Sequence, residues 1–233
     1  ERQITTVSNP ISAATLFQQA ASAGRSSLNA NELQALLGEL GITFDAKAAP
    51  AGAADLRIGL ASTREFSMVI SAGLGGLEGE LDERNFRRGR ASVHAAAALT
   101  DAADFLGLFK RTLAYQKLTA VARRDGAATP DAALQACFDR LLELARAFAP
   151  GQADATFVLQ SLDLDPVRIG QSGVTACAVE CTFAAPQPGR LPRPIHKIDK
   201  LIHPRRIGII GVSGSGMNFG RIILRNLMGS GYP

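Results

Sequence analysis

Residues 203–233 read HPRRIGIIGVSGSGMNFGRIILRNLMGSGYP, and no other stretch restricts the fold as tightly. An apolar run at 207–212 leads into a loop with glycines at 211, 214, 216 and 220, and an amphipathic run at 219–228 follows. A strand, a glycine turn and a helix in this order open nucleotide-binding α/β domains. Glycine lets the backbone approach a phosphate, and the helix N-terminus favours negative charge. One strand cannot make a sheet. The unit is therefore expected to belong to a larger protein, and to pack on the rest of the chain or on a neighbouring chain, because it leaves an unpaired edge and an apolar helix face.

The 233 residues have room for one large domain or two small ones. No run of 18 apolar residues occurs, so no membrane span is expected, and the N-terminus lacks the basic-then-apolar pattern of a signal peptide. Three cysteines, an odd number, suit the reducing cytoplasm better than a disulfide framework. A net charge of +4 without any tryptophan gives no reason to expect a nucleic-acid partner. Arg190, Arg193, Lys197, Lys200, Arg205 and Arg206 cluster just ahead of the glycine unit. They are either a solvated linker or an attractor for a phosphorylated ligand.

Periodicity predicts a helix over 8–23 with Pro10 at its first position, and a second capped by Asn31, with Gln34 three residues on, and ended by Gly41. Residues 56–62 and 66–72 read as strands, and 101–119 as a helix with Leu106, Phe109, Leu113 and Leu118 facing the core. A helix over 130–148, capped by Thr129, buries Leu134, Phe138, Leu141, Leu142 and Leu144. Strands follow near 155–162 and 174–183, the second with unclear facing. Alanine-rich patches at 50–54 and 95–98 read as compositional bias. Five prolines between 185 and 205 mark an extended linker.

The candidate chemistry lies at 161–166, Ser-Leu-Asp-Leu-Asp-Pro. Residues two apart on a strand share a face, so Asp163 and Asp165 present their carboxylates together. Glu180 lies on the next strand, and hairpin pairing would bring three carboxylates into one place. Like charges held close need a cation, and Mg²⁺ is a hard, oxygen-seeking one. The alternative is that Asp165-Pro166 merely starts a turn.

These residues carry a resemblance. Leu162-Asp163-x-Asp165-Pro166, followed by a strand with an acidic residue, resembles the ATP-grasp part of NDP-forming acyl-CoA synthetases and of succinyl-CoA synthetase β chains. Ile58-Gly59-Leu60, Arg64, Phe66 and Gly73-Leu74-Gly75-Gly76 resemble that family's IGV, RD, FG and GLGG stretch, and the helical pair at 101–148 falls where the family has one. The unit from Pro204 to Ser213 resembles the start of its CoA-binding domain. The resemblance implies an α/β fold: an ATP-grasp C-terminal-subdomain-like domain over 1–184 with an N-terminal helical segment, a linker over 185–203, and at 204–233 the first strand–helix unit of a Rossmann-type CoA-binding domain. It implies a parent acid–CoA ligase using Mg²⁺, ATP or GTP, and CoA, working through acyl phosphate and phosphohistidine. Asp163, Asp165 and Glu180 would be the metal ligands. Gly211, Ser213, Gly214, Ser215, Gly216, Met217, Asn218 and Gly220 would hold CoA phosphates. The remaining CoA-ligase domains, in the same or another chain, would be partners, and a homo-oligomer is possible.

The departures are specific. Where the family usually has Asn, Asp and Glu, this chain has Asp165, Glu180 and Ser161. Only about fifteen residues separate 43 from 58, where the family carries a lysine-bearing subdomain. His94, His196 and His203 do not match the phosphohistidine loop and read as surface or structural. No residue is assigned to catalysis, and the chain alone is not expected to complete the reaction. In the glycine loop, Met217-Asn218 replace the Lys-Ser/Thr of a P-loop, and Gly214-x-Gly216-x-x-x-Gly220 is one residue too long for the NAD fingerprint. Cys177 and Cys181 read as core thiols, Gly73–Gly76 as either a phosphate neighbour or a tight turn, and Arg87, Arg88 and Arg90 as a solvated run. Two rival readings stand beside the ligase: a non-catalytic scaffold that binds a partner CoA-ligase domain, and a fragment of an NAD-binding domain.

Overall fold

A computed structural model describes residues 10–47, 55–79, 89–124, 126–152, 155–170, 173–186 and 198–231. Residues 50–54, Arg87, Arg88, Arg190, Arg193, His196, Lys197 and most of the proline-rich segment lie outside the described residues. The chain divides into two compact units, Glu1–Pro188 and Gly189–Pro233.

The larger unit is built on a mixed seven-stranded sheet. Its strands are β1 (Ile42–Phe44), β2 (Leu56–Thr63), β3 (Ser67–Leu74), β4 (Ser92–Ala96), β5 (Val158–Gly170), β6 (Gly173–Ala176) and β7 (Val179–Ala184). The order across the sheet is β1-β6-β5-β2-β3-β4, and β7 shares β5 with β6. β5 folds back on β6 and β7 as the expected hairpin, with Gly170 opposite Gly173 and Asp163 opposite Glu180. β2 lies on the other side of β5 and forms a hairpin with β3. Only β1, against β6, is a parallel pair among the described strands.

Alternation sorts the sheet into two faces. Leu56, Ile58 and Leu60 of β2, Met68, Ile70 and Ala72 of β3, and Leu162 and Leu164 of β5 are buried. They form one core with helices α1 (Pro10–Ser22), α2 (Ala30–Glu39), α3 (Ala102–Phe109), α4 (Leu113–Arg124) and α5 (Asp131–Ala147). Phe17 of α1 is fully buried among Phe148, Phe157 and Phe183, its ring centroid 5.0 Å from that of Phe148 and 4.7 Å from that of Phe183. Burial of such a ring, with its edge and stacked contacts, anchors α1 to the sheet.

Several boundaries differ from the sequence reading for local reasons. The cap of α2 is Asn29, not Asn31. Asn29 accepts from the Glu32 backbone N–H, the Glu32 carboxylate accepts from the Asn29 N–H, and Arg25 grips the same carboxylate through two nitrogens at 2.8 and 2.7 Å. The helix expected over 101–119 is two helices. The buried Thr112 hydroxyl donates to the Phe109 carbonyl and accepts from the Tyr115 N–H, ending one helix and starting the next. Thr129 does not cap α5, which begins after Pro130 without a side-chain cap. The unclear facing of the last strand has a cause: Val174 and Ala176 point inward before Cys177 and Ala178, Cys181 and Phe183 after them. β5 changes phase at the same place, Leu164 and Val167 being buried on either side of Asp165-Pro166.

The smaller unit contains α6 (Ile198–Ile202) and α7 (Phe219–Gly229). The strand expected over 207–212 is not formed among the described residues, because no ladder partner is present there. α7 forms as expected, capped by Asn218, and contains no buried residue.

Candidate functional site

The face of the sheet opposite the helices carries small and polar residues. Register aligns them in a row, with His94 opposite Ser71, Ser71 opposite Gly59, Gly59 opposite Asp163 and Asp163 opposite Glu180. A cleft of about 440 Å³ opens along this row, lined among others by Arg57, Gly59, Ser71, Gly73, Ser92, His94, Ser161, Asp163 and Asp165. Gly59 makes room for it: a Cβ there would sit 3.2 Å from Ser71 Oγ and 3.6 Å from Asp163 Oδ1.

Asp163 and Asp165 are brought together as their spacing predicts. The cation between them is Arg57. Its Nε donates to Asp163 Oδ1 at 3.0 Å and its Nη2 to Asp163 Oδ2 at 2.5 Å, while Nε lies 3.8 Å from Asp165 Oδ2. Asp165 Oδ1 accepts from the Gly76 N–H at 2.7 Å. Burial pushes the Asp165 carboxyl above its ordinary value; Gly76 and Arg57 oppose the shift, and the charges of Asp163 and Asp55 add to it. Asp55 is held by Arg168 at 2.9 Å, which keeps that second guanidinium occupied.

Glu180 stands beside Asp163 on β7, exposed to solvent and outside the cleft lining. The expected convergence of three carboxylates is thus a pair with a neighbour. Among the described residues no group of three or more His, Cys, Asp or Glu is arranged to hold a metal by itself. Mg²⁺ is commonly held by one or two carboxylates plus ligand phosphates, so the oxygen pair of Asp163 and Asp165 beside the space over Gly59 fits a hard cation shared with a ligand.

The glycines at 73–76 serve the cleft's wall. A Cβ on Gly75 would stand 2.3 Å from the Leu56 carbonyl oxygen, so only glycine lets the chain cross β2 there. Gly76, at φ +58°, then turns its N–H to Asp165. Gly73 and Leu74 end β3, residues 76–79 make a short helical run, and the polar neighbour of the Gly76 N–H is a carboxylate. Arg57, Ser71, Ser92 and His94 were missed as site residues. The signal was present in their outward phase on strands whose alternate residues are apolar.

In the smaller unit the glycine loop folds on itself. Ser213 Oγ accepts from the Ser215 and Gly216 N–H groups at 3.3 and 3.1 Å. Asn218 donates through Nδ2 to the Gly211 carbonyl at 2.7 Å, and its Oδ1 accepts from the N–H groups of Arg221 and Ser213. Gly211 has φ +82°, which favours glycine, and a Cβ on Gly220 would stand 3.0 Å from the Gly211 oxygen, a tight fit for any side chain.

The described residues between 10 and 186 form a mixed α/β architecture on a seven-stranded sheet, and this architecture has counterparts among solved structures. A chain of the dinucleotide-forming acetyl-coenzyme A synthetase 1 of Ca. Korarchaeum cryptofilum, in complex with coenzyme A and Mg-AMPPCP, matches over its whole length and 74% of this chain, with a TM-score of 0.55 at 16% identity. The apo form of that protein gives 0.56 at 17% identity over the same share. PH1788 from Pyrococcus horikoshii Ot3 gives 0.57 at 12% identity over 76% of this chain and all of its own. At these identities the likeness is one of fold, and it is to the proteins that the motifs at 55–180 resemble. No protein-family model and no curated protein sequence matches the chain. No helix of the described residues is long and apolar enough to cross a membrane.

Proposed function

We propose that the cleft binds a Mg²⁺–nucleotide and that the chain works within an acid–CoA ligase of the NDP-forming kind. The observation that carries this is the carboxylate pair in an open cleft on a fold shared with a synthetase solved with CoA and Mg-AMPPCP. Asp163 and Asp165 would hold the metal, with Glu180 at the rim adding negative charge. Bound Mg²⁺ would screen phosphate charge that the two carboxylates otherwise repel. Gly59 and the small hydroxyl-bearing Ser71 and Ser92 of the cleft lining offer walls against which phosphates can lie. In the smaller unit, the loop with Gly211, Ser213, Gly214, Ser215, Gly216, Met217, Asn218 and Gly220 would contact CoA phosphates through backbone N–H groups at the start of α7.

A scaffold role, in which the same fold binds a partner CoA-ligase domain without nucleotide, is favoured by one observation: Arg57 already neutralises Asp163. Calorimetric titration with Mg-ATP, CoA and NADH separates the readings. The ligase reading expects Mg-ATP and CoA to bind. NADH binding without CoA binding would overturn the loop assignment, and failure of all three to bind would leave the scaffold.

A further inference from the structure

We infer that Arg57 is a built-in counter-cation that competes with a divalent cation for Asp163, and that it thereby sets the metal affinity of the site. This rests on the Mg²⁺–nucleotide reading and describes how the same site is controlled. Arg57 occupies both oxygens of Asp163 through Nε and Nη2 and reaches towards Asp165 through Nε. A metal using an Asp163 oxygen competes with these hydrogen bonds for the carboxylate and would face the guanidinium charge at close range. Arginine keeps its charge at any ordinary pH, so deprotonation cannot clear the site; a competing cation can.

The surroundings permit the exchange. The Arg57 side chain is 54% exposed and that of Asp163 35%, so the pair sits in a solvent-screened place where ion pairs are weak and replaceable. Arg57 is opposite Gly73 on β3 and two residues from Gly59 on its own strand, and neither glycine has a side chain to confine the guanidinium. The comparison within the molecule is Arg168, whose side chain is 15% exposed and is fixed on Asp55. Once released, Arg57 stays on the cleft wall, where a planar donor pair suits a phosphate oxygen pair. The same residue thus opposes the bare metal and favours the metal with its anionic ligand.

The test measures Mn²⁺ binding to the full chain by electron paramagnetic resonance of the free ion, with and without AMPPCP. Arg57→Met removes the charge and keeps an apolar stem, and Arg57→Lys keeps the charge without the bidentate grip. Without nucleotide, Arg57→Met should bind Mn²⁺ at least tenfold tighter than wild type, with Arg57→Lys between them. With Mn²⁺ saturating, AMPPCP should bind Arg57→Met more weakly than wild type. Unchanged or weaker Mn²⁺ binding in Arg57→Met, with AMPPCP still bound by wild type, would overturn the role of Arg57 alone. Absence of both ligands from every variant would overturn the nucleotide reading and this inference with it. Urea midpoints of the variants confirm that folded proteins are compared.

Discussion

Arg57 and Asp163 sit on neighbouring strands of one open sheet face and are joined by two hydrogen bonds, at 3.0 and 2.5 Å. Two like carboxylates at Asp163 and Asp165 would repel, and the guanidinium between them supplies the positive charge in this structure. The pair is half exposed, so its energetic weight is small.

Burial is the chief cause that raises the Asp165 carboxyl above its ordinary value. A carboxyl whose folded pKa exceeds its unfolded one opposes folding once pH passes the unfolded value of about 3.9, and the penalty fades as pH falls through the folded pKa. Asp165→Asn retains an oxygen for the Gly76 N–H and removes the charge. Urea denaturation near neutral pH should find it at least as stable as wild type, with the difference closing in acid. A clear loss of stability at neutral pH would contradict this.

Glu32 behaves in the opposite sense. The Arg25 side chain holds its carboxyl below the ordinary value, helped by the Asn29 N–H. Its contribution is present above the unfolded value of about 4.3 and is lost as pH falls through the depressed folded value. The stability advantage of wild type over Glu32→Gln should therefore disappear in acid. Asn29→Ala, which removes the reciprocal cap, should cost about 1 kcal/mol in chemical denaturation.

Gly75 tests the cleft wall. Its Cβ position is 2.3 Å from the Leu56 oxygen and 2.8 Å from the Arg57 backbone nitrogen, so Gly75→Ala must push β2 and the segment after β3 apart. A loss of about 2 kcal/mol is expected. Because Gly76 donates to Asp165, the same substitution should disturb the carboxylate pair, visible as chemical-shift changes at Asp163 and Asp165.

Phe17 tests the core between α1 and the sheet. Phe17→Ala leaves a void among Phe148, Phe157 and Phe183 and should cost about 3–5 kcal/mol by urea denaturation.

The parts legible in the sequence were those whose signal is local. Alternation on β2 and β3, the period of α5 and the two-residue spacing of Asp163 and Asp165 all survive into the fold. β1 was missed because three residues carry almost no period and its partner β6 lies far along the chain. β4 was missed because Ala95 and Ala96 read as bias, although they pair with Ile70 and Val69. The strand at 207–212 was over-read for the converse reason: an apolar run favours a strand, but the ladder depends on a neighbour. At the site, charge spacing pointed to a cation beside the carboxylates, and the arginine found there was not foreseen. Arg57 is 106 residues from Asp163, and only the pairing of β2 with β5 brings them together.

The most direct measurement is the calorimetric affinity of Mg-ATP for wild type and Asp163→Asn, with CoA affinity as the internal control. The account predicts that wild type binds Mg-ATP, that Asp163→Asn weakens it at least tenfold, and that CoA binding is unchanged. Equal Mg-ATP affinity in the two proteins, or no Mg-ATP binding by wild type, would contradict it.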